Sequence, residues 1–576
     1  MPKLPARPSS SSRRFVPADA QLDAPSVVSQ LADLLLARPL PDEAALDAWI
    51  VDWSEWESCL REEGTRRYIA MTCDTTDETA ARAYAAFVEG VEPILAQKTD
   101  ELRRRLVSHP QLARLQDRYG NWFRSVRNGI ALFRTENVGL ETEVALAVHD
   151  YQKTTGSMTV EFDGQARTLS QMAVYQESPD RQVREAAWRT VAERRLRDKD
   201  ALNRHFDRLF GLRVRIAANA GFAGYIPYIF QAKERFDYTP AHCAAFRDAV
   251  ERLVTPRYRA LLERRAQALG LKALRPWDLD CDPAGRPALA PYRHAQELLS
   301  KTGDVFRRIS PQFGELFQRM VGQGLIDPDS RVGKAPGGYQ VGLDESRVPF
   351  IFMNGAGTNG DVYTLLHEGG HSFHQFAMGG QPIIGFRDSP AEFAEVASMS
   401  MELIGSEFMD CFYGPSQAAR ARIEQLEDAL RLLPWVAMVD GFQHWMYSHP
   451  RHSPAERNAA WLELDQRFAG RLDWRGLEEA RAHQWQRQLH IFEIPFYYIE
   501  YGIAKLGALQ VWANWRKDRT AALDRLWRAW SLGYSRPLPE LFGAAGIRFD
   551  FSADTIVPLL DLVESELRAL EKAAAS

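Results

Sequence analysis

Two histidines four residues apart, the first followed directly by a glutamate, constrain this chain more than any other stretch: His367-Glu368-Gly369-Gly370-His371. On a helix, positions i and i+4 share one face, so both imidazoles can reach a single metal ion while the adjacent carboxylate reaches a water beside it. The flanking residues supply the helix. Asp361 to Leu366 contain no proline or glycine, the amphipathic pattern runs on through Phe376, and Gly379-Gly380 provides a C-terminal stop. Gly369 and Gly370 each cost about 1 kcal/mol relative to alanine inside a helix. An ordinary structural helix has no reason to accept both, so a backbone or a substrate is expected to approach closely here.

A catalytic zinc site uses three protein ligands and leaves a position for water. His374 shares the helix face but lies two turns from His367, and at about 5.4 Å per turn the two cannot share one ion. It is expected behind a ligand or in the core. A better third ligand follows the next loop. Ser389-Pro390-Ala391-Glu392 reads as a helix start, with serine at the N-cap, proline at the first position and glutamate closing a capping box. Glu395, one turn further, has no such local role and lies among Phe393, Ala394, Val396, Ala397, Met399 and Met401. A carboxylate in apolar company needs a partner, and a metal ion would be one. Glu402, two turns on, either orients a ligand histidine or faces water.

The chain has 576 residues, 45% hydrophobic and 26% charged, enough for two or more domains with a substantial core. A formal net charge of -5 gives no reason to expect nucleic acid or an anionic membrane as partner. The five cysteines are scattered without a CxxC pair, which favours a reducing compartment, and the protein is expected in the cytoplasm. No apolar run approaches the roughly 20 residues of a membrane span. Residues 1–25 read as a disordered tail. Arg7, Arg13 and Arg14 imitate a transit peptide, but Pro2, Pro5 and Pro8 oppose an amphipathic helix there.

Residues 26–203 read as a helical N-terminal domain interrupted by one hairpin, where Asp163-Gly164 joins two short strands. Residues 204–576 read as the catalytic domain. Within it, Tyr339–Leu343 and Pro349–Met353 read as strands, and a glycine-rich loop from Asn354 to Gly360 leads into the metal helix. A sheet edge placed there can hold an extended peptide by main-chain hydrogen bonds. Later text is helical, with stops expected at Pro434, Pro450 and Pro454. The fold class is mainly α with a small sheet near the metal helix.

The runs Pro349 to Asn354, Thr364 to His374 and Ala394 to Ser398 resemble the zinc oligopeptidases of family M3, the oligoendopeptidase F branch more than the thimet branch. His490 and the run Phe496 to Gly502 resemble the family's second characteristic segment. The resemblance implies a zincin-like metallopeptidase with helical lobes around a deep channel. It also implies one zinc per chain on His367, His371 and Glu395, with Glu368 as general base. Activity is then expected to be zinc-dependent cleavage of internal bonds in short unfolded peptides. His490, Tyr498 and Tyr501 are the candidates for stabilising the oxyanion, and Gly338, Tyr339, Asn354, Gly355 and Tyr497 for holding substrate. Two alternatives stand beside this. A carboxypeptidase or dipeptidyl carboxypeptidase on the same scaffold needs a cation for the substrate's terminal carboxylate, for which Arg387 is a candidate. A non-catalytic peptide-binding protein would have no need of Glu368. The sequence leaves the oligomeric state open.

Overall fold

The computed structural model describes residues 13–575. Helices dominate, and the strands among the described residues form two small sheets. β1 (Thr159–Phe162) and β2 (Gln165–Thr168) make the expected hairpin, turning through Asp163 and Gly164 at φ +53° and +69°. Two consecutive positive φ values match a type I′ turn, which Asp-Gly favours.

The second sheet contains β3 (Ile326–Asp329), β4 (Tyr339–Leu343) and β5 (Val348–Gly355) in the order β3-β5-β4. β4 and β5 lie where two strands were expected, whereas β3, with the sequence Ile-Asp-Pro-Asp, carries no strand signal. It pairs parallel to β5 with a register shift between Asp327 and Asp329. Lys334 ties the arrangement together, its buried ammonium donating to the carbonyls of Asp327, Asp329 and Met353. Long-range pairing of this kind leaves no local pattern.

The metal helix spans Asn359–Met378, with Thr358 and Asp361 forming a capping box. Asp361 Oδ2 also accepts from the N–H groups of Ala356 and Gly357 and from the Tyr292 hydroxyl. The glycine-rich loop is thereby fixed to the helix start. The helix carrying Glu395 spans Ala391–Gly405, and its N-cap is Pro390 rather than Ser389, with no side-chain cap. Glu392 is correspondingly not a capping-box partner. It is buried, accepts from the Tyr238 hydroxyl and lies 3.9 Å from Arg235, so tertiary contacts claim it.

Pro434 does not stop its helix. Pro415–Ser448 runs through it for 34 residues. An internal proline costs about 3 kcal/mol, and here Leu433, Val436 and Ala437 around it are fully buried, so packing outweighs the local penalty.

The segment at 13–25 is not a loose tail. Val16 and Leu22 are buried, and the Glu55 carboxylate accepts the backbone N–H groups of Arg14, Phe15 and Val16. Residues 1–12 of the expected tail lie outside the described residues. The division expected at residue 203 also differs from the packing. One core unites Val16 to Val126 with Ile383 and Phe386. The larger core already includes Ala147, Tyr151 and Leu202 together with the metal helix. The helices of 135–203 therefore pack with the C-terminal part, which periodicity within each helix could not reveal. No described helix is long and apolar enough to cross a membrane.

Candidate metal centre and active site

The metal helix and the Glu395 helix cross with their backbones in near contact, and Gly370 is the reason they can. A Cβ there would stand 2.6 Å from Ser398 Cα and 2.7 Å from the Ala397 carbonyl oxygen. A Cβ at Gly369 would overlap the Phe306 ring. The close approach expected of these glycines is thus made by neighbouring helices behind the site, not by a ligand over it. Gly370→Ala is expected to push the helices apart, lowering stability by about 1–3 kcal/mol and weakening metal binding. Urea unfolding and a zinc titration of the variant check both effects.

That contact brings His367, His371 and Glu395 together. Glu395 Oε2 lies 3.2 Å from His367 Nε2 and 3.5 Å from His371 Nε2. One donor atom from each residue falls within 4.8 Å of the others. The donor chemistry suits zinc, two imidazole nitrogens and a carboxylate oxygen being a known catalytic set. The local field also favours a cation at this point. Burial opposes ionisation of both His367 and Glu395, yet Glu395 and Glu402 raise the His367 ring well above its ordinary pKa, and His371 and His367 hold the Glu395 carboxyl well below its own.

A second layer orients these ligands. Glu402 Oε1 lies 2.6 Å from His367 Nδ1, leaving Nε2 aimed at the triad. Its other oxygen accepts from Gln425 and lies 3.5 Å from the buried Lys505 ammonium. Of the two readings open for Glu402, this geometry matches the orienting one. Tyr497, expected among the substrate contacts, instead donates its hydroxyl to Glu395 Oε1 at 2.6 Å. Ser398 Oγ donates to Oε2 at 2.9 Å. Tyr497→Phe should therefore weaken zinc affinity about 10- to 100-fold, as loss of an outer partner typically does. Competition against a chromophoric chelator measures it, and a changed KM with unchanged zinc affinity would contradict the assignment.

The turn that delivers Tyr497 is strained. Phe496, the residue before it, has φ +63°, a costly conformation for a bulky side chain. Gln443 Oε1 accepts its N–H, Arg235 donates to its carbonyl, and its ring is fully buried. The surroundings hold what the local backbone disfavours.

Glu368 is 5% exposed, and its Oε2 has no hydrogen-bond partner. Burial pushes its carboxyl upward in pKa, partly offset by the neighbouring histidines. It lines a cavity of about 880 Å³ together with His367, Gly338, His490, Tyr498 and Tyr501. The oxyanion candidates therefore line the same cavity as His367 and Glu368. Burial pushes His490 down to about 4, so the ring is neutral at neutral pH.

Other expectations fare differently. Gly338 lies against Glu368, a Cβ there standing 3.6 Å from Oε1. Tyr339 turns from the cavity, its ring stacked on Phe352 and its hydroxyl 2.6 Å from Thr72. Asn354 spends its amide on the carbonyls of Ala335 and Gly337, shaping the loop rather than facing substrate. A Cβ at Gly355 would stand 2.8 Å from both the Pro328 carbonyl and the Tyr292 hydroxyl, a requirement of strand packing. His374 lies in the core between Phe393 and Trp530, and burial pushes it down to about 3. Arg387 donates to Ser58 and Gln381.

Sequence reasoning missed Ser398, Gln425, Lys505, Gln488 and Trp435. Lys505 was detectable, since it stands among Ile503, Ala504, Leu506 and Leu509 as Glu395 does among its apolar neighbours. Gln425 and Gln488 gave no signal.

A mainly helical chain in which an HExxH helix meets a glutamate from the next helix defines the class of HExxH metal centres with a glutamate as third ligand. The model of "Peptidase family M3" matches residues 174–557, and that of "Peptidase M3 N-terminal domain" matches residues 35–133. The chain belongs to peptidase family M3. It is 27% identical over 303 residues to the chromosomal oligoendopeptidase F of Lactococcus lactis subsp. cremoris, covering 49% of this chain and 45% of that one. It is 24% identical over 333 residues to an oligoendopeptidase F homolog of Lactococcus lactis subsp. lactis strain IL1403, covering 54% and 51%. The chain thus spans about half the length of the curated relatives it matches. The solved structure of PZ peptidase A with inhibitor 2 superposes with a TM-score of 0.91 at 28% identity, covering 98% of this chain and 100% of that one.

Proposed function

We propose that this chain is a zinc-dependent endopeptidase that cleaves internal bonds of short, unfolded peptides. The observation that carries the reading is Glu368, a buried carboxylate with a partnerless oxygen, beside three convergent metal-ligand side chains and open to a cavity. His367, His371 and Glu395 would hold the ion. When bound, zinc supplies Lewis-acid polarisation and lowers the pKa of water towards about 7. Glu368 takes a proton from the attacking water and delivers it to the leaving amine. Tyr501, with Tyr498 beside it, offers hydroxyl donors to the charge that develops on the carbonyl oxygen.

The edge strand supports an extended substrate. Among the described residues β4 is bonded in its sheet only to β5, Gly338 before it lines the first cavity, and Gln340, Val341 and Gly342 line a second of about 950 Å³. A peptide laid along β4 would pass from one cavity to the other with main-chain hydrogen bonds to the strand. Its side chains would be read weakly. The five unpaired cysteines suit a reducing, cytoplasmic setting.

Digesting a mixed peptide library with the purified protein tests this reading by mass spectrometry. Internal cuts that chelator abolishes and zinc restores are expected. Stepwise loss from C-termini would favour the carboxypeptidase reading, although Arg387 is already engaged. Absence of any chelator-sensitive cleavage would leave a peptide-binding protein.

A further inference from the structure

Trp435, Gln488 and His490 form a chain of hydrogen bonds that ends on the Tyr501 hydroxyl, and the chain has a single consistent direction. An indole N–H donates and never accepts. Trp435 Nε1 lies 3.3 Å from Gln488 Oε1, so the amide oxygen faces the indole and the amide nitrogen faces His490. Gln488 Nε2 lies 3.0 Å from His490 Nδ1. That amide nitrogen also only donates, so Nδ1 must accept and the ring proton resides on Nε2. From there it is given across 3.0 Å to the Tyr501 oxygen.

Turning the amide over would set its NH₂ against the indole N–H, donor against donor. The Tyr498 hydroxyl, 3.4 Å from the same indole nitrogen, is also hydrogen-bonded to Gln488, and by accepting from both the indole and the amide NH₂ it leaves this polarity in place. His490 is held neutral by burial, with Lys233 further disfavouring and Glu395 favouring its charge, so the ring carries one proton whose position matters. Tyr501 receives a hydrogen bond from His490 and has no other hydrogen-bond partner among the described residues, while it lines the cavity beside Glu368. Its own proton is left for whatever occupies that space.

We propose that Trp435 and Gln488 are positioning residues that hold His490 in its Nε2–H form and thereby commit the Tyr501 hydroxyl proton to the substrate oxyanion. The second half rests on the peptidase reading above; the tautomer does not. A hydroxyl that already receives a charge-neutral hydrogen bond is also the better donor, because successive bonds polarise one another.

The test begins with ring-nitrogen NMR of protein labelled with ¹⁵N-histidine, the His490 signals being those lost in His490→Asn. A bare Nδ1 and a protonated Nε2 are expected, and the reverse overturns the proposal. Gln488→Glu then presents only acceptors to Nδ1 and should draw the proton there once the ring is neutral. Its kcat on a quenched peptide is expected to fall about 100-fold at alkaline pH, the effect of losing an oxyanion donor. KM and zinc content should stay near the parent values, and the variant's kcat relative to the parent's at the same pH should rise as pH falls, because the new carboxylate favours an imidazolium that again donates from Nε2. Unchanged kcat, or a loss equal at every pH, overturns the assignment. Trp435→Phe, which frees the amide to turn, should give a smaller loss in the same direction. If the parent shows the Nε2–H ring yet cleaves no peptide, the peptidase reading falls alone.

Discussion

Glu368→Gln is expected to bind zinc as the parent does and to hydrolyse peptides about 10²- to 10⁴-fold more slowly, the range that a positioned general base contributes. Glutamine preserves the shape and the buried environment but cannot take a proton. The carboxylate touches none of the atoms of the metal triad through a hydrogen bond, and its Oε2 is unpartnered. Stability should therefore not fall, since the substitution removes a desolvated ionisable group and breaks no bond made by that oxygen. Metal analysis, kcat on a quenched peptide and a urea transition separate the three effects. Hydrolysis near the parent rate would falsify the general-base role.

Glu395→Ala should have the opposite signature, with zinc content dropping to a trace and activity falling to that of chelator-treated parent. The carboxylate is 2% exposed and partnered by His367, His371, Tyr497 and Ser398. Its removal leaves two imidazoles, too few for a catalytic site, and orphans the Tyr497 hydroxyl at about 1–3 kcal/mol, while Ser398 keeps its bond to the backbone carbonyl of residue 395. Excess zinc should restore little. Full zinc occupancy in this variant would exclude Glu395 as a ligand. Together the two substitutions separate the residue that does proton chemistry from the one that holds the ion.

Much of the metal triad was readable because it depends on local geometry. The i,i+4 spacing of His367 and His371 needs only a helix, and Glu395 stood out as a carboxylate among apolar residues. Glu392 stands at cap spacing but takes a different partner. A serine, a proline and a glutamate at cap spacing satisfy the local pattern, but a buried arginine and tyrosine from a distant segment offered Glu392 more. Pro434 failed in the same way, local propensity giving way to packing around a fully buried stretch. Tyr339, Asn354 and Gly355 show a further limit. Strand alternation tells which residues share a face, but not which face a neighbouring helix will cover, and the helix Glu43–Cys73 covers Tyr339 through Thr72.

From its sequence alone this protein is a mainly helical chain with one HExxH helix, a candidate third ligand on the next helix, and a tyrosine-rich segment downstream. Those features follow from periodicity and spacing within about twenty residues, the scale on which backbone geometry is nearly independent of the rest of the chain. Only the tertiary structure decided that Gly370 admits a neighbouring backbone, that Tyr497 donates to Glu395, and that Trp435 and Gln488 line up behind His490. Each of these joins residues tens of positions apart, where a contact depends on how whole helices pack and leaves no periodic trace along the chain.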